Sequence, residues 1–254
     1  MAPASCGRTR QIPSSRLGMS GLASSCEAIS FCFIEVVWPA DPLLPTRFDR
    51  AVSDDCVALP GDDLLPVARA QVTHHVDIDA PPAEVWPWLV QMGRRRAGWY
   101  SWDLLDNGGV ESADRIIPAL QQVAVGDLLP IKATGPDGFA ILCLDPPRAL
   151  VLGDPSLLPG RAKPGAAAPR ATWAFALQPS GGASTRLVVR VRVEHRASLT
   201  AALLRRVVLI AHEVMERKQL RTLKQRVETE RRRHLASGNA VANAAARSAS
   251  HDGG

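Results

Sequence analysis

Apolar and polar residues alternate strictly from Val72 to Asp79, with Val72, His74, Val76 and Ile78 on one side and Thr73, His75, Asp77 and Asp79 on the other. Period-two alternation marks a strand with one face buried. Ala80-Pro81-Pro82 ends the strand and opens a helix, because a proline in the first turn gives up no intrahelical hydrogen bond and arrives with helical φ. Val85, Trp86, Leu89, Val90 and Met92 then recur at helical spacing, with Pro87 expected to kink or split the helix and Gly93 to stop it. The run GWYSWDLLDN predicts a loop and a short helix ended by Gly108 and Gly109, and Ser112 opens a second short helix, SADRIIPALQ. Strands follow over Leu128–Ile131, Phe139–Leu144 and Ala149–Leu152, then a Gly/Pro/Ala-rich loop from Pro155 to Pro169. Thr172–Leu177 and Thr185–Glu194 alternate again and are joined by a hairpin at Gly181-Gly182. In the second of these, Leu187, Val189, Val191 and Val193 face one way and Arg186, Arg190, Arg192 and Glu194 the other. A long helix from Leu199 to His234 closes the pattern, broadly apolar at first (Leu203, Leu204, Val207, Val208, Ile210, Val214, Met215) and narrowing to Leu220, Leu223 and Val227.

Length and composition sharpen this without changing it. The 254 residues, 46% hydrophobic and 22% charged, suit one globular domain with tails: an extended or disordered segment over 1–64, the domain over 65–234, and a small, polar tail over 235–254. The acid-poor start of the chain also resembles a targeting peptide, but its apolar run, Ala28 to Trp38, comes late and is broken by Glu35; Met19 is an alternative start. The net charge of +5 is mostly arginine with no motif or interleaved aromatics, so a nucleic-acid partner is not expected. From Arg190 to His234 there are 13 Lys/Arg against 5 Asp/Glu, which fits a solvated helix face or attraction to an acidic partner or anionic membrane. Five cysteines without a CxxC pair argue against a disulfide framework and for a reducing, cytoplasmic setting. The longest apolar candidate, Leu199 to Met215, is interrupted by charge, so no transmembrane segment is expected.

The order of elements, strand, short helices, several strands, hairpin and long final helix, resembles the helix-grip fold, an α+β arrangement whose antiparallel sheet wraps around the last helix. VDIDAPPAEVWPWLVQMG is similar to the opening of the START-like (SRPBCC, Bet v 1-like) superfamily, which includes polyketide cyclase/dehydrase and lipid-transport proteins. GWYSWDLLDN, SADRIIPALQ, VGDLLP and VMERKQLRTLKQR resemble a bacterial branch of it, the likeness covering roughly residues 65 to 232. The resemblance implies a hydrophobic ligand cavity between sheet and helix. It implies no particular reaction, because one scaffold serves enzymes and carriers alike.

Within such a cavity a few polar groups orient an apolar ligand. Trp99, Tyr100, Trp102, Asp103, Asp106, Asn107 and Arg115 are the densest set of candidates, with Trp88, Trp173 and Phe175 as further ligand contacts and Tyr100, Asp103 and His74 as acid/base groups. The same residues fit a structural reading, with tryptophans in the core, acids capping a helix, Arg115 paired to one of them and His74 satisfied in the interior. His74 and His75 are adjacent on a strand and cannot bind one metal together. His212 with Glu213 and Glu216 lacks the second histidine of a zinc-hydrolase helix, and no nucleophile elbow or phosphate loop occurs, so no metal or cofactor is expected. The expected partner is a hydrophobic small molecule, carried or sequestered. A cyclase/dehydratase-type enzyme is the alternative, and an interaction module working through the basic helix a weaker one.

Overall fold

The computed structural model describes residues 57–68, 70–131, 138–161, 170–194 and 213–238. Its elements are β1 (Ala70–Ile78), α1 (Pro82–Val90), α2 (Asp103–Asp106), β2 (Leu128–Pro130), β3 (Gly138–Asp145), β4 (Ala149–Gly153), β5 (Arg170–Pro179) and β6 (Thr185–Glu194), followed by helix α3 over 213–238. The six strands make one antiparallel sheet in the order β1-β6-β5-β4-β3-β2. The first strand therefore lies against the last, with His74 opposite Val189 and Val76 opposite Leu187. This is an α+β helix-grip arrangement. The apolar half of the strands (Val76, Ile78, Leu150, Leu152, Phe175, Leu177, Leu187, Val189) packs with Val85, Trp88 and Leu89 of α1 and Leu220, Leu223 and Val227 of α3. Those three α3 side chains sit at helical spacing, and each contributes roughly 1.5–3 kcal/mol by leaving water. They hold the helix across the inner face.

Helix α1 runs unbroken through Pro87, because in nine residues a single missing donor is a small defect. The second short helix expected from Ser112 is absent: only a 3₁₀ turn forms, Pro118–Leu120. Pro118 disfavours helical backbone at Ile117, which is extended (φ −103°, ψ 107°). Side chains also divert the segment, since the Ile117 N–H donates to Gln91 Oε1 at 2.9 Å and the Ser112 hydroxyl to Asp103 Oδ1 at 2.5 Å. Residues 199–212, the apolar start of the expected long helix, lie outside the described residues, as do His195 and His212.

The outer face is not simply solvated. Residues 57–65 cross it, with Leu59 against Ala176 and Val188, and Leu64 against a cluster of Cys143, Val151 and Ala174. Gly61 has φ +91°, and a Cβ there would stand 2.6 Å from Val151 Cγ1, so both the turn and the close approach call for glycine. Arg190 is only 1% exposed. It donates to Asp62 Oδ2 at 2.6 Å, Val57 O at 2.8 Å and Thr73 Oγ1 at 3.0 Å. Cys143 is disulfide-bonded, against the expectation of free thiols, and its partner lies outside the described residues. Spacing along the sequence carried no trace of that pairing.

Candidate functional site

Two groups of side chains meet on the inner face. The first is aromatic. Trp99 stacks on Trp173, with ring centroids 5.6 Å apart and 22° between planes. Phe139 stands edge-on to both, at 6.1 and 5.8 Å, and Phe175 is 5.0 Å from Trp173. Alternation places Trp173 and Phe175 on one face of β5, and β2–β3 pairing brings Phe139 opposite Leu129. Trp99 is delivered by the turn after α1, where Gly93 and Gly98 form an isolated bridge. Trp173 and Phe139 stay partly exposed although they belong to the inner face, whereas Leu152, Ile141 and Phe175 beside them are fully buried.

The second group is polar. His74 Nδ1 lies 2.7 Å from Glu216 Oε2, and both residues are buried. A carboxylate only accepts, so Nδ1 carries the hydrogen, and in the neutral ring Nε2 is left as the acceptor. Glu213 Oε1 stands 3.9 Å from that Nε2. One turn along α3, Gln219 Nε2 donates to the Trp99 carbonyl at 2.9 Å. A carbonyl fixes which end of the amide faces it, so Gln219 Oε1 points elsewhere, buried and without a hydrogen-bond partner among the described residues. Ser101 Oγ ties the aromatic turn to α3 by donating to Met215 O at 2.8 Å.

The remaining candidates occupy separate places. Tyr100 is fully buried with φ +60°, and Trp88 packs edge-on at 6.0 Å. Its hydroxyl accepts from Gln91 Nε2 at 2.6 Å, and the same amide nitrogen donates to Arg115 O at 3.2 Å. Burial pushes the phenol up to about 12, a rise that the Gln91 hydrogen bond partly opposes. Asp103 is held by Ser112, whose oxygen also accepts from the Tyr100 N–H at 3.1 Å. Burial, with the Asp103 charge beside it, raises the Asp106 carboxyl to about 6, against a smaller opposing pull from Arg94. Asn107 Nδ2 donates to Val110 O at 2.7 Å, which closes the turn after α2. Arg115 is exposed, and Trp102 projects outward with Lys218 Nζ 5.8 Å from its ring centroid.

The fold thus gathers Trp99, Trp173 and Phe175 on the inner face, links Trp99 through Gln219 to the helix that carries the His74 partner, and sets Trp88 with Tyr100 in the packed core. Asp103, Asp106 and Asn107 belong to the α2 turn. Phe139, Glu216 and Gln219 were missed as site residues. Glu216 and Gln219 had a legible signal, since they fall on the same helical stripe as Leu220, Leu223 and Val227. Phe139 had none beyond its strand.

No protein-family model matches the sequence, and no curated protein is detectably similar to it. Solved structures do resemble it. A protein of Mesorhizobium loti is 15% identical over 63% of this chain and 98% of its own, with a TM-score of 0.37. One from Chromobacterium violaceum is 16% identical over 62% of this chain and 96% of its own, with a TM-score of 0.33. The di-domain ARO/CYC StfQ from the steffimycin biosynthetic pathway is 15% identical over 74% of this chain and 63% of its own, with a TM-score of 0.39. No helix among the described residues is long and apolar enough to cross a membrane.

Proposed function

We propose that this protein binds a hydrophobic small molecule, lipid-like or polyketide-like, against the inner face between sheet and α3, and serves as a carrier or sequestering protein. The observation that supports this reading is the half-buried state of Trp173 and Phe139. Large aromatics on the inner face of a sheet are the first side chains that packing covers, and an accessible pair beside stacked Trp99 offers a ligand flat apolar surface. Buried polar groups nearby supply orientation. The test is native mass spectrometry of protein purified from its own host, compared with denaturing conditions. A small hydrophobic species released on unfolding, together with loss of uptake of a hydrophobic fluorescent probe in Trp173→Ala, is the expected result. Empty protein that also ignores the probe overturns the reading.

A second reading, acid/base catalysis of the cyclase or dehydratase kind, is favoured by the His74–Glu216 pair. A carboxylate on Nδ1 fixes the orientation of the imidazole and leaves Nε2 as its free acceptor, the arrangement in which a histidine can take a proton from a ligand. Turnover of a bound ligand that is lost in His74→Gln while binding persists separates enzyme from carrier.

A further inference from the structure

The α2 turn is apolar on the outside and acidic on the inside. Leu104 is 81% exposed, Leu105 69%, Val110 66% and Trp102 48%. The two acids of the same turn point away from this surface: Asp103 accepts from the hydroxyl of buried Ser112, and both Asp106 carboxylate oxygens are buried. An ordinary surface helix does the reverse. Four neighbouring side chains of this size expose an apolar area on the order of the largest patch of a monomer, ~300–600 Å², and short of the ~800 Å² per partner of a stable protein interface. Basic groups and one acid, the exposed Glu111 that follows Val110, border it. Lys218 Nζ lies 5.8 Å from the Trp102 ring centroid, and the Arg94 guanidinium sits where a Cβ on Gly108 would be, 2.6 Å from Nη2.

We infer that the Trp102–Val110 turn docks on the surface of an anionic lipid bilayer, with Leu104, Leu105 and Val110 among the acyl chains, Trp102 at headgroup depth and Lys218 against lipid phosphates. Small area suits this occupant. Leucines inserted a few ångströms deep gain their transfer free energy without a shaped partner, tryptophan favours the interface, and each nearby cation adds attraction to acidic headgroups. Neither half suffices alone, so the contact is reversible and salt-sensitive. The inference does not depend on the ligand reading, since it uses only the outward side of the turn.

Sedimentation of the full chain with vesicles tests it, comparing phosphatidylcholine alone with phosphatidylcholine containing phosphatidylglycerol. Binding to the mixed vesicles is expected, weaker in high salt and in Lys218→Glu, and reduced at least about tenfold in Leu104→Asp/Leu105→Asp, whose positions are too exposed to affect folding. Phosphatidylcholine brominated on its acyl chains, included in the mixed vesicles, gives a reading on the unsubstituted protein, by quenching part of its tryptophan emission. No sedimentation with mixed vesicles, equal sedimentation with both, or binding unchanged in the double variant overturns the inference. So does light scattering that finds a dimer which the double variant dissociates, because the patch would then be an interface between two copies.

Discussion

His74 and Glu216, 142 residues apart in sequence, meet at 2.7 Å inside the domain and join the edge strand β1 to the closing helix α3. Each is the other's 2.7 Å partner in the interior, so removing either takes a hydrogen bond from a buried polar group. Glu216→Leu should lower the unfolding free energy by about 3 kcal/mol, and His74→Leu by a similar amount. The double variant should recover most of the loss, ending within about 1 kcal/mol of the starting protein, since a packed apolar pair replaces a buried polar one at little net cost. Urea unfolding of the four proteins measures the coupling. Strict additivity would mean that the contact does not join the two elements.

Asp62 and Arg190 make a second long-range pair, on the opposite face of the sheet. Arg190 is almost fully buried, and Asp62 is its carboxylate partner at 2.6 Å. Asp62→Ala should therefore cost about 3 kcal/mol, while exposed Asp63→Ala changes stability by less than about 0.5 kcal/mol. Thermal melts distinguish the two. Equal, small effects would mean that the 57–65 strap contributes nothing to the fold.

These two pairs also mark where sequence reasoning stops. β6 falls on Thr185–Glu194 as period-two alternation predicts, and the hairpin turns at Gly181 and Gly182, both with positive φ, because these signals are local. The burial of Arg190 is not local: alternation places its side chain on the outer face, and only the strap crossing that face decides that the face is covered. Glu216 stands on a legible helical stripe, yet its partner is a histidine at the other end of the domain. The 112–121 segment reads as a helix by composition, and Pro118 together with hydrogen bonds donated to Gln91 and Asp103 overrules it. Loop side chains such as Trp99 and Trp102, three residues apart, go to opposite environments, and no periodicity distinguishes them.

Asp106 should give the stability of the protein a measurable pH dependence. Its carboxyl is raised to about 6 in the folded protein against an unfolded value near 3.8, so between those values the native state holds the proton and the unfolded state releases it. Stability from this group is present below pH 4 and is lost as pH rises through 6. Asp106→Asn removes the burden of the ionised form, and should stabilise the protein at pH 7 by about 1 kcal/mol, less than the bare linkage because the site is partly solvated. At pH 4 the two proteins should melt at nearly the same temperature. A variant less stable than the original at pH 7 would show that the ionised carboxylate has a compensating partner.

Tyr100 is the chain's single tyrosine, so its ionisation is visible without interference from another phenol. Buried beside Trp88 and accepting from Gln91, it ionises only at about 12, where an unfolded tyrosine ionises near 10. Absorbance at about 295 nm should thus show almost no tyrosinate at pH 10 in folded protein and about half of the full signal at the same pH in denaturant. The sign of the linkage follows. Between the two values the folded state keeps a proton that the unfolded state gives up, so stability is intact below pH 10 and falls as pH rises toward 12, by up to about 2–3 kcal/mol. Tyr100→Phe should lose this alkaline slope and cost about 1 kcal/mol at pH 7, because Gln91 loses one acceptor and keeps the Arg115 carbonyl. A tyrosinate signal appearing near pH 10 in the folded protein would mean that water reaches the phenol, and would reopen Tyr100 as a group able to exchange protons with a ligand.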